Sequence, residues 1–565
     1  MNKKLPYGKS NYKELVEKNY LYVDKTKYIE KLENLNDTFI FFLRPRRFGK
    51  SLFTSVLENY YDANKKNEFE VLFKDTYIGK NPTPEKNSYY ILKFNFSGLI
   101  TDTKEKLVDS FNKTCNMSYK KFIEDNNIDV EYDEKGYPSE VFMEFLGAIR
   151  NKIDKPLYVI IDEYDHFANE LLSFKTDMFS DIISKTGFVR KWYEVLKIGT
   201  ESIIQRIFAT GVTPITLDSL TSGFNISTDI TRDARFNEMM GFTEEEVRNL
   251  IKRTIQDEKK IEKIIKEMKI NYNGYLFSEE GKKTVFNSDM LLYYLKNLEE
   301  SGNPPKELID KNIASDYAKL GSMFNLKNRE DNYKVLEDIL NGEEVIARIT
   351  NQFSLEKRFS DEDFKSLLFY LGLLTIVGED FGDAVLYTPN NVIRELYFDF
   401  YGERLREESD YNIDSVSIKN AMKDIAKNGN NQKLVEIVEN TLKKLSNRDY
   451  ITFNEKYVKL IFLTYCYLSK IYLVKSEYEV EGGYIDIALL KQVNMNPKYF
   501  GIIELKYISK SKYKEKGEEI VKEKLKEAKE QLEKYKLSKE LSEIKNLKKW
   551  AIVFVNDKCY ANEEI

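Results

Sequence analysis

38-TFIFFLRPRRFGKSLFTSVLENYY-61 places an apolar run, a short basic loop, Gly-Lys-Ser and an amphipathic stretch one after another. The run Thr38–Leu43 has the length and composition of a strand covered on both faces. Leu52, Phe53, Val56, Leu57 and Tyr60 fall on one stripe, which predicts a helix starting near Lys50. A loop between such a strand and helix aims backbone N–H groups and the positive helix end at a phosphate. There Gly49 permits close backbone approach, Lys50 brings a cation to the β- and γ-phosphates of ATP, and Ser51 offers a hydroxyl to Mg²⁺. The pattern G-x-x-x-x-G-K-[ST] is not fully met, because Arg44 occupies the first glycine position. The same tripeptide at Gly8-Lys9-Ser10 follows no strand and reads as an ordinary turn.

Support comes from 157-LYVIIDEYD-165, a buried-type strand ending in two acids. Asp162 is the candidate Mg²⁺ carboxylate and Glu163 the candidate for polarising an attacking water. Taken alone, the pair could equally be the dipole-favoured start of a helix. A third strand run opens 206-RIFATGVTP-214, and its Thr210 is either a γ-phosphate sensor through its hydroxyl or part of a plain turn before Pro214. With Tyr89–Phe96 these runs give four strands separated by helical stretches, the pattern of a parallel α/β sheet.

From about Thr243 the chain turns to Lys/Glu-rich helical periodicity, and Thr243 with Glu246 fits a capping box. The turn 301-SGNPP-305 ends this first part. We therefore expect an ATPase domain over 1–300, a helical connector over 301–445 with a short strand and turn in 384-AVLYTPNNVI-393, and an α/β domain over 446–565.

In that last part, 477-EYEVEGGYIDIALL-490 and 499-YFGIIELKY-507 predict neighbouring strands, with Gly482-Gly483 forming a hairpin turn. Alternation puts Tyr484, Asp486 and Ala488 on one face, and Glu504 and Lys506 point the same way as each other. Asp486 and Glu504 are candidate Mg²⁺ ligands, and Lys506 a candidate for orienting or deprotonating water and stabilising phosphate charge. A structural salt bridge is the competing account of Glu-x-Lys. The stretch 506-KYISKSKYKEK-516 concentrates five lysines and reads either as a nucleic-acid backbone contact or as a solvated loop, with Tyr507 and Tyr513 either stacking on bases or anchoring it.

The segments 22-YVDKT-26, 44-RPRRFGKSLF-53, 157-LYVIIDEYD-165, 210-TGVTPITL-217 and 241-GFTEEEV-247 resemble the AAA-ATPase-like family of uncharacterised bacterial proteins. The resemblance extends through 271-NYNGYLF-277 and 285-VFNSDMLLYYL-295. It implies a P-loop ATPase fold with an additional strand between the two nucleotide motifs, and an arginine at position 44 is usual in that family. Arg44, Arg47, Gly49, Lys50, Ser51 and Thr210 are the implied nucleotide-binding set, and Arg46, Arg47 and Arg232 candidates for phosphate contact or a trans-acting finger. Residues 446–560 resemble the PD-(D/E)XK nuclease superfamily. By that resemblance Glu455 joins Asp486 and Glu504 as a metal-site acid, and Gln531 in 528-AKEQLEKY-535 matches a polar helix position. Tyr484 and Lys459 depart from it, standing where relatives show Arg and His.

Composition narrows the chemistry. With one histidine, His166, and three cysteines, Cys115, Cys466 and Cys559, a multi-His or Cys-cluster zinc site is out of reach. Lys+Arg 88 against Asp+Glu 93 gives a net charge of −5, which excludes a strongly basic coat overall. No run approaches a membrane span and the start lacks a signal-peptide core, so the expectation is a cytoplasmic protein without a membrane partner. His166, just after the paired acids, is either a γ-phosphate reporter or a helix-start residue without a role. The expected function is ATP hydrolysis coupled to Mg²⁺-dependent action on nucleic acid, DNA in preference to RNA, with homo-oligomerisation left open. The alternative is a non-cleaving, nucleotide-dependent regulator with a degenerate nuclease fold.

Overall fold

The computed structural model describes residues 3–168, 187–214, 226–310, 329–351, 360–409, 414–445, 453–535 and 538–565, together with 324 and 353. Residues 215–217 of the 210–217 motif, the first residues of the expected 446–565 domain and parts of 301–445 lie outside them. The chain divides into two units. The first comprises Met1–Asn332 and Val345–Asn390, the second Tyr333–Glu344 and Asn391–Ile565. The segment 301–445 thus contributes to both.

Five strands build the main sheet of the first unit: β1 (Phe39–Leu43), β2 (Tyr90–Asn95), β3 (Leu157–Asp162), β4 (Ile204–Gly211) and β5 (Thr228–Asp229). Their order is β2-β3-β4-β1-β5 and every pairing is parallel. β4 lies between β1 and β3, pairing Phe42 with Thr210 on one side and Ile161 with Ala209 on the other. That is the additional strand between the two nucleotide motifs. β3 is buried along its whole length, as its continuous apolar run requires.

Aromatic residues, 13% of the chain, fill the space beside this sheet. Trp192, on the helix Phe188–Thr200, meets Phe94 of β2 edge-on at 5.0 Å and stacks on Phe142 of the helix Pro138–Ile149 at 4.9 Å. Such pairs contribute about 0.5–1.5 kcal/mol each beyond their buried area. Together they bury the face of the edge strand β2.

A separate antiparallel sheet joins β6 (Val345–Ala347), β7 (Thr375–Asp380) and β8 (Asp383–Tyr387) in the order β6-β8-β7. The stretch 384–393 holds the expected short strand, β8, and the turn after it. Its last three residues go beyond that expectation and open the helix Asn391–Ser409.

In the second unit, β9 (Tyr472–Val480), β10 (Gly483–Lys491), β11 (Phe500–Ile508), β12 (Leu547–Val555) and β13 (Lys558–Glu564) form a sheet in the order β13-β12-β11-β10-β9. Only β11 and β12 are parallel. The helix Glu518–Tyr535 covers one face through Ala528 and Leu532, and Phe462 of the helix Glu455–Ser469 packs edge-on against Phe554 at 5.9 Å. The lysine-rich stretch after β11 is not a loop. Ser509 caps a helix, Lys510–Lys516, with its side chain accepting from the Lys512 N–H.

Candidate functional sites

At the end of β1 the backbone turns through Arg47 (φ +69°) and Gly49 (φ +95°) before the helix Lys50–Tyr61. The Gly49 conformation favours glycine whatever the surrounding space. Lys50 is buried, and its Nζ donates to the carbonyl oxygens of Arg44 and Pro45, each at 3.0 Å. Burial lowers its pKa, against the nearby Glu163, Asp162 and Asp165 charges. The Ser51 hydroxyl is hydrogen-bonded to Asp162 at the end of β3. Burial raises the Asp162 pKa, and its Oδ1 is buried with no hydrogen-bond partner.

Glu163 follows in the left-handed region at φ +52°, and its Oε2 lies 3.0 Å from Nδ1 of His166. That hydrogen bond is the main reason its pKa is lowered; burial opposes it and Lys50 assists. Asp165 ties the turn to the end of β4, accepting from the N–H groups of Val212 (3.1 Å) and Thr213 (2.6 Å). A side chain at Gly211 would run into Asp165 and Tyr164, with Asp165 Oδ1 only 2.2 Å from a Cβ, so a glycine is required for this closure.

Gly49, Lys50, Ser51, Glu163 and His166 border one cavity of about 510 Å³, which Arg46 and Arg47 also line. Arg47 pairs with Asp289, at 3.2 Å. The cavity wall includes Gly8, Lys9 and Ser10, so the tripeptide read as an unrelated turn stands at the same site. Asp289 and this wall were missed because they come from distant parts of the chain. The repeated Gly-Lys-Ser was the one available signal for the wall.

Three expected residues are placed elsewhere. Arg44 is buried away from the cavity: its guanidinium donates to the carbonyls of Leu43, Thr231 and Phe236 and stacks over Phe42 and Phe277, each centroid 4.2 Å away. It is a packing residue because the loop folds its side chain back under β1. Thr210 does not line the cavity either; its hydroxyl donates to the Phe42 carbonyl at 2.7 Å, joining β4 to β1. Arg232 is ion-paired with Glu279, outside the cavity.

The second site forms where β10 and β11 separate. Their last paired positions are Ile487 and Ile503, so Asp486 and Glu504 are the next pair in register. Asp486 Oδ2 accepts from the Leu505 N–H at 2.8 Å, and the Asp486 N–H donates to Glu504 Oε1 at 3.4 Å. Burial raises both pKa values, and the Asp486 charge helps push Glu504 up to about 8. Lys506 Nζ is 3.6 Å from Glu504 Oε2.

Lys459, nearly buried, extends from the helix Glu455–Ser469 to an ion pair with Glu477. Glu477 lies opposite Asp486 between the paired positions Ile485↔Tyr478 and Ile487↔Ser476. Tyr535 donates to the Tyr484 carbonyl at 2.8 Å and is hydrogen-bonded to Glu504. Gln531 Oε1 is buried without a hydrogen-bond partner. Tyr484 itself is exposed, and Tyr513 packs on Tyr560 at 4.9 Å.

Glu455 lies within electrostatic reach of Asp486 and Lys506, and burial raises its pKa. Its Oε2 accepts from the Tyr507 N–H at 3.1 Å. Among the described residues no three His, Cys, Asp or Glu side chains are grouped to hold a metal ion. What remains is a buried carboxylate pair in which burial first, and the Asp486 charge second, lift Glu504 to about 8. Such a pair suits Mg²⁺, which takes one or two carboxylates and completes its shell with water and phosphate oxygens. The Ser51 hydroxyl beside the unpartnered Asp162 Oδ1 is likewise an oxygen donor set that suits Mg²⁺.

Comparison with known proteins defines the class of each part. Residues 6–221 match the family described as predicted AAA-ATPase, and residues 453–564 match the PD-(D/E)XK nuclease superfamily. The chain thus carries an AAA-ATPase-like domain and a PD-(D/E)XK nuclease-superfamily domain. It is also similar to the uncharacterized protein in vnfD 5'region of Azotobacter chroococcum mcd 1, at 25% identity over 295 residues. That match spans about half the length of each, 52% of this chain and 52% of the relative. Among the described residues no helix is long and apolar enough to cross a membrane.

Proposed function

We propose that the chain binds and hydrolyses ATP in the first unit and uses nucleotide turnover to govern a Mg²⁺-dependent nuclease site in the second, acting on DNA in preference to RNA. The observation that carries this reading is the convergence of Lys50, Ser51 and Glu163 on one cavity of about 510 Å³, within the size range of small-molecule sites. Lys50 has a resting place on the Arg44 and Pro45 carbonyls. Phosphate oxygens would replace those carbonyls as acceptors, keeping the buried ammonium satisfied in both states. Arg46 and Arg47 line the same cavity and supply further positive charge for the phosphates.

Glu163 would hold the attacking water in line, and exclusion of bulk water would strengthen its pull on the proton. In the second unit Lys506 would orient the water and balance charge on the scissile phosphate. Ser51 and Asp162 in one site, Asp486 and Glu504 in the other, are the residues that would hold Mg²⁺, whose contribution when bound is to neutralise charge on phosphoryl oxygens. The helix Lys510–Lys516 continues directly from β11 and would contact the nucleic-acid backbone through its lysines.

Comparing Lys50→Ala with wild type tests the first half. Loss of ATP turnover with the fold intact, judged by circular dichroism, is expected; unchanged turnover refutes it. A non-cleaving regulator is the second reading, and the observation that favours it is Lys459 standing where relatives show His and held in an ion pair with Glu477.

A further inference from the structure

His166 is the chain's one histidine, and it sits three residues after Glu163 on the wall of the nucleotide cavity. The turn between them is fixed at several points. Asp165 accepts from the Val212 and Thr213 backbone, the Tyr164 hydroxyl donates to the Thr213 carbonyl at 2.6 Å, and the His166 N–H donates to the Glu163 carbonyl at 3.2 Å. Glu163 is held in the left-handed region, a conformation that persists only when its surroundings enforce it. With the backbone pinned, the carboxylate can move only through its own side-chain torsions. Nδ1 of His166, at 3.0 Å from Oε2, restrains those torsions.

We propose that His166 is a positioning residue for ATP hydrolysis: it fixes the Glu163 carboxylate by occupying Oε2 and leaves Oε1 to face the attacking water. This rests on the reading of the first unit as an ATPase. Glu163 has two cations across the cavity, Lys50 and Arg46, that also act on its charge. When phosphate binds, both cations gain a competing anion. The hydrogen bond from His166 belongs to the turn itself and does not depend on the phosphates. His166 therefore holds the glutamate in one arrangement before and after nucleotide arrives, so less reorganisation is needed at the moment of reaction. His166 makes no claim on the nucleotide's base or ribose in this account, and its removal should leave nucleotide affinity nearly unchanged.

The donor atom makes a sharp prediction. An asparagine places its amide nitrogen near the position of Nδ1, whereas a glutamine reaches toward the position of Nε2. Steady-state ATP hydrolysis by the full chain would compare wild type with His166→Ala, His166→Asn, His166→Gln and Glu163→Gln. Loss of one hydrogen bond to a charged group predicts that His166→Ala lowers kcat about tenfold with KM for Mg-ATP within about twofold. His166→Asn should recover most of that loss and His166→Gln should not. A wild-type kcat in His166→Ala overturns the proposal, as does an equal defect in the Asn and Gln variants. If wild type turns over ATP no faster than Glu163→Gln, the ATPase reading itself fails and the positioning role falls with it.

A nucleotide-free measurement separates the contact from the role. One histidine gives one imidazole C2–H resonance by NMR, so no assignment is needed. That resonance should move in Glu163→Gln, and an unmoved resonance overturns the contact.

Discussion

Asp486 and Glu504 face each other at the first register position beyond the last paired residues of β10 and β11. There each takes a backbone N–H from the other's strand: Leu505 donates to Asp486, and Asp486 donates to Glu504. The hydrogen bonds that would have continued the ladder instead hold two carboxylates side by side. Separation of the strands and placement of the acids are thus one event.

A divalent cation should therefore compete with a proton at this pair. Glu504 is raised to about 8, so it is protonated below that pH and must lose its proton when a cation binds. Apparent Mg²⁺ affinity should rise as pH increases toward 8 and level off above it. Isothermal titration at pH 6.5, 7.5 and 8.5 checks this, with Asp486→Asn expected to abolish the binding attributed to this site. Pairing each run with Asp162→Asn separates it from binding in the first unit.

Arg44 should behave as a structural residue. Replacing it with glycine would bring the loop closer to the general phosphate-binding pattern, yet it would leave the carbonyls of Leu43, Thr231 and Phe236 without their guanidinium donor and the Phe42 and Phe277 rings without their stacking partner. The expected cost is about 1–3 kcal/mol for each buried carbonyl left without a donor, reduced where the site can relax or admit water. Lysine should not rescue it, because one ammonium cannot spread over two Phe rings and reach three carbonyls. A lower thermal midpoint for both variants checks this, and a stable Arg44→Gly protein with unchanged ATP turnover contradicts it.

Glu395, on the helix Asn391–Ser409, gives a pH-dependent stability. Burial raises its pKa from 4.5 to about 7 while Asn391 and Gln492 donate to it. The folded state holds this proton more tightly than the unfolded state, so its contribution is full below about 4.5 and is lost as pH rises to about 7. Glu395→Gln should flatten that fall and be the more stable protein at pH 8 by up to about 3 kcal/mol. Urea denaturation of the two proteins at pH 5 and pH 8 reads the difference.

The parallel sheet was legible because each buried strand is a nearly continuous apolar run, and the ends of Thr38–Leu43 and Leu157–Ile161 moved by only a residue in the structure. β6 and β7 were not legible, being short and partly exposed, with no sustained apolar pattern to mark them. Lys50, Ser51, Asp162 and Glu163 could be read as a group because each ends or begins an element whose period is visible. Arg44 and Thr210 were misplaced for a common reason. A sequence locates a side chain on a loop or strand end but does not reveal which carbonyl it will satisfy, and both residues donate to backbone groups instead of lining the cavity. The Lys459–Glu477 pair was out of reach because it joins a helix to a strand only after the sheet forms.

The most direct test of the account is incubation of plasmid and oligonucleotide DNA with Mg²⁺, with and without ATP, using wild type, Lys50→Ala and Asp486→Ala. The account predicts cleavage by wild type that ATP alters, cleavage without that ATP response in Lys50→Ala, and no cleavage by Asp486→Ala. Intact DNA under every condition, alongside normal ATP turnover by wild type, would contradict it and leave the non-cleaving regulator in its place.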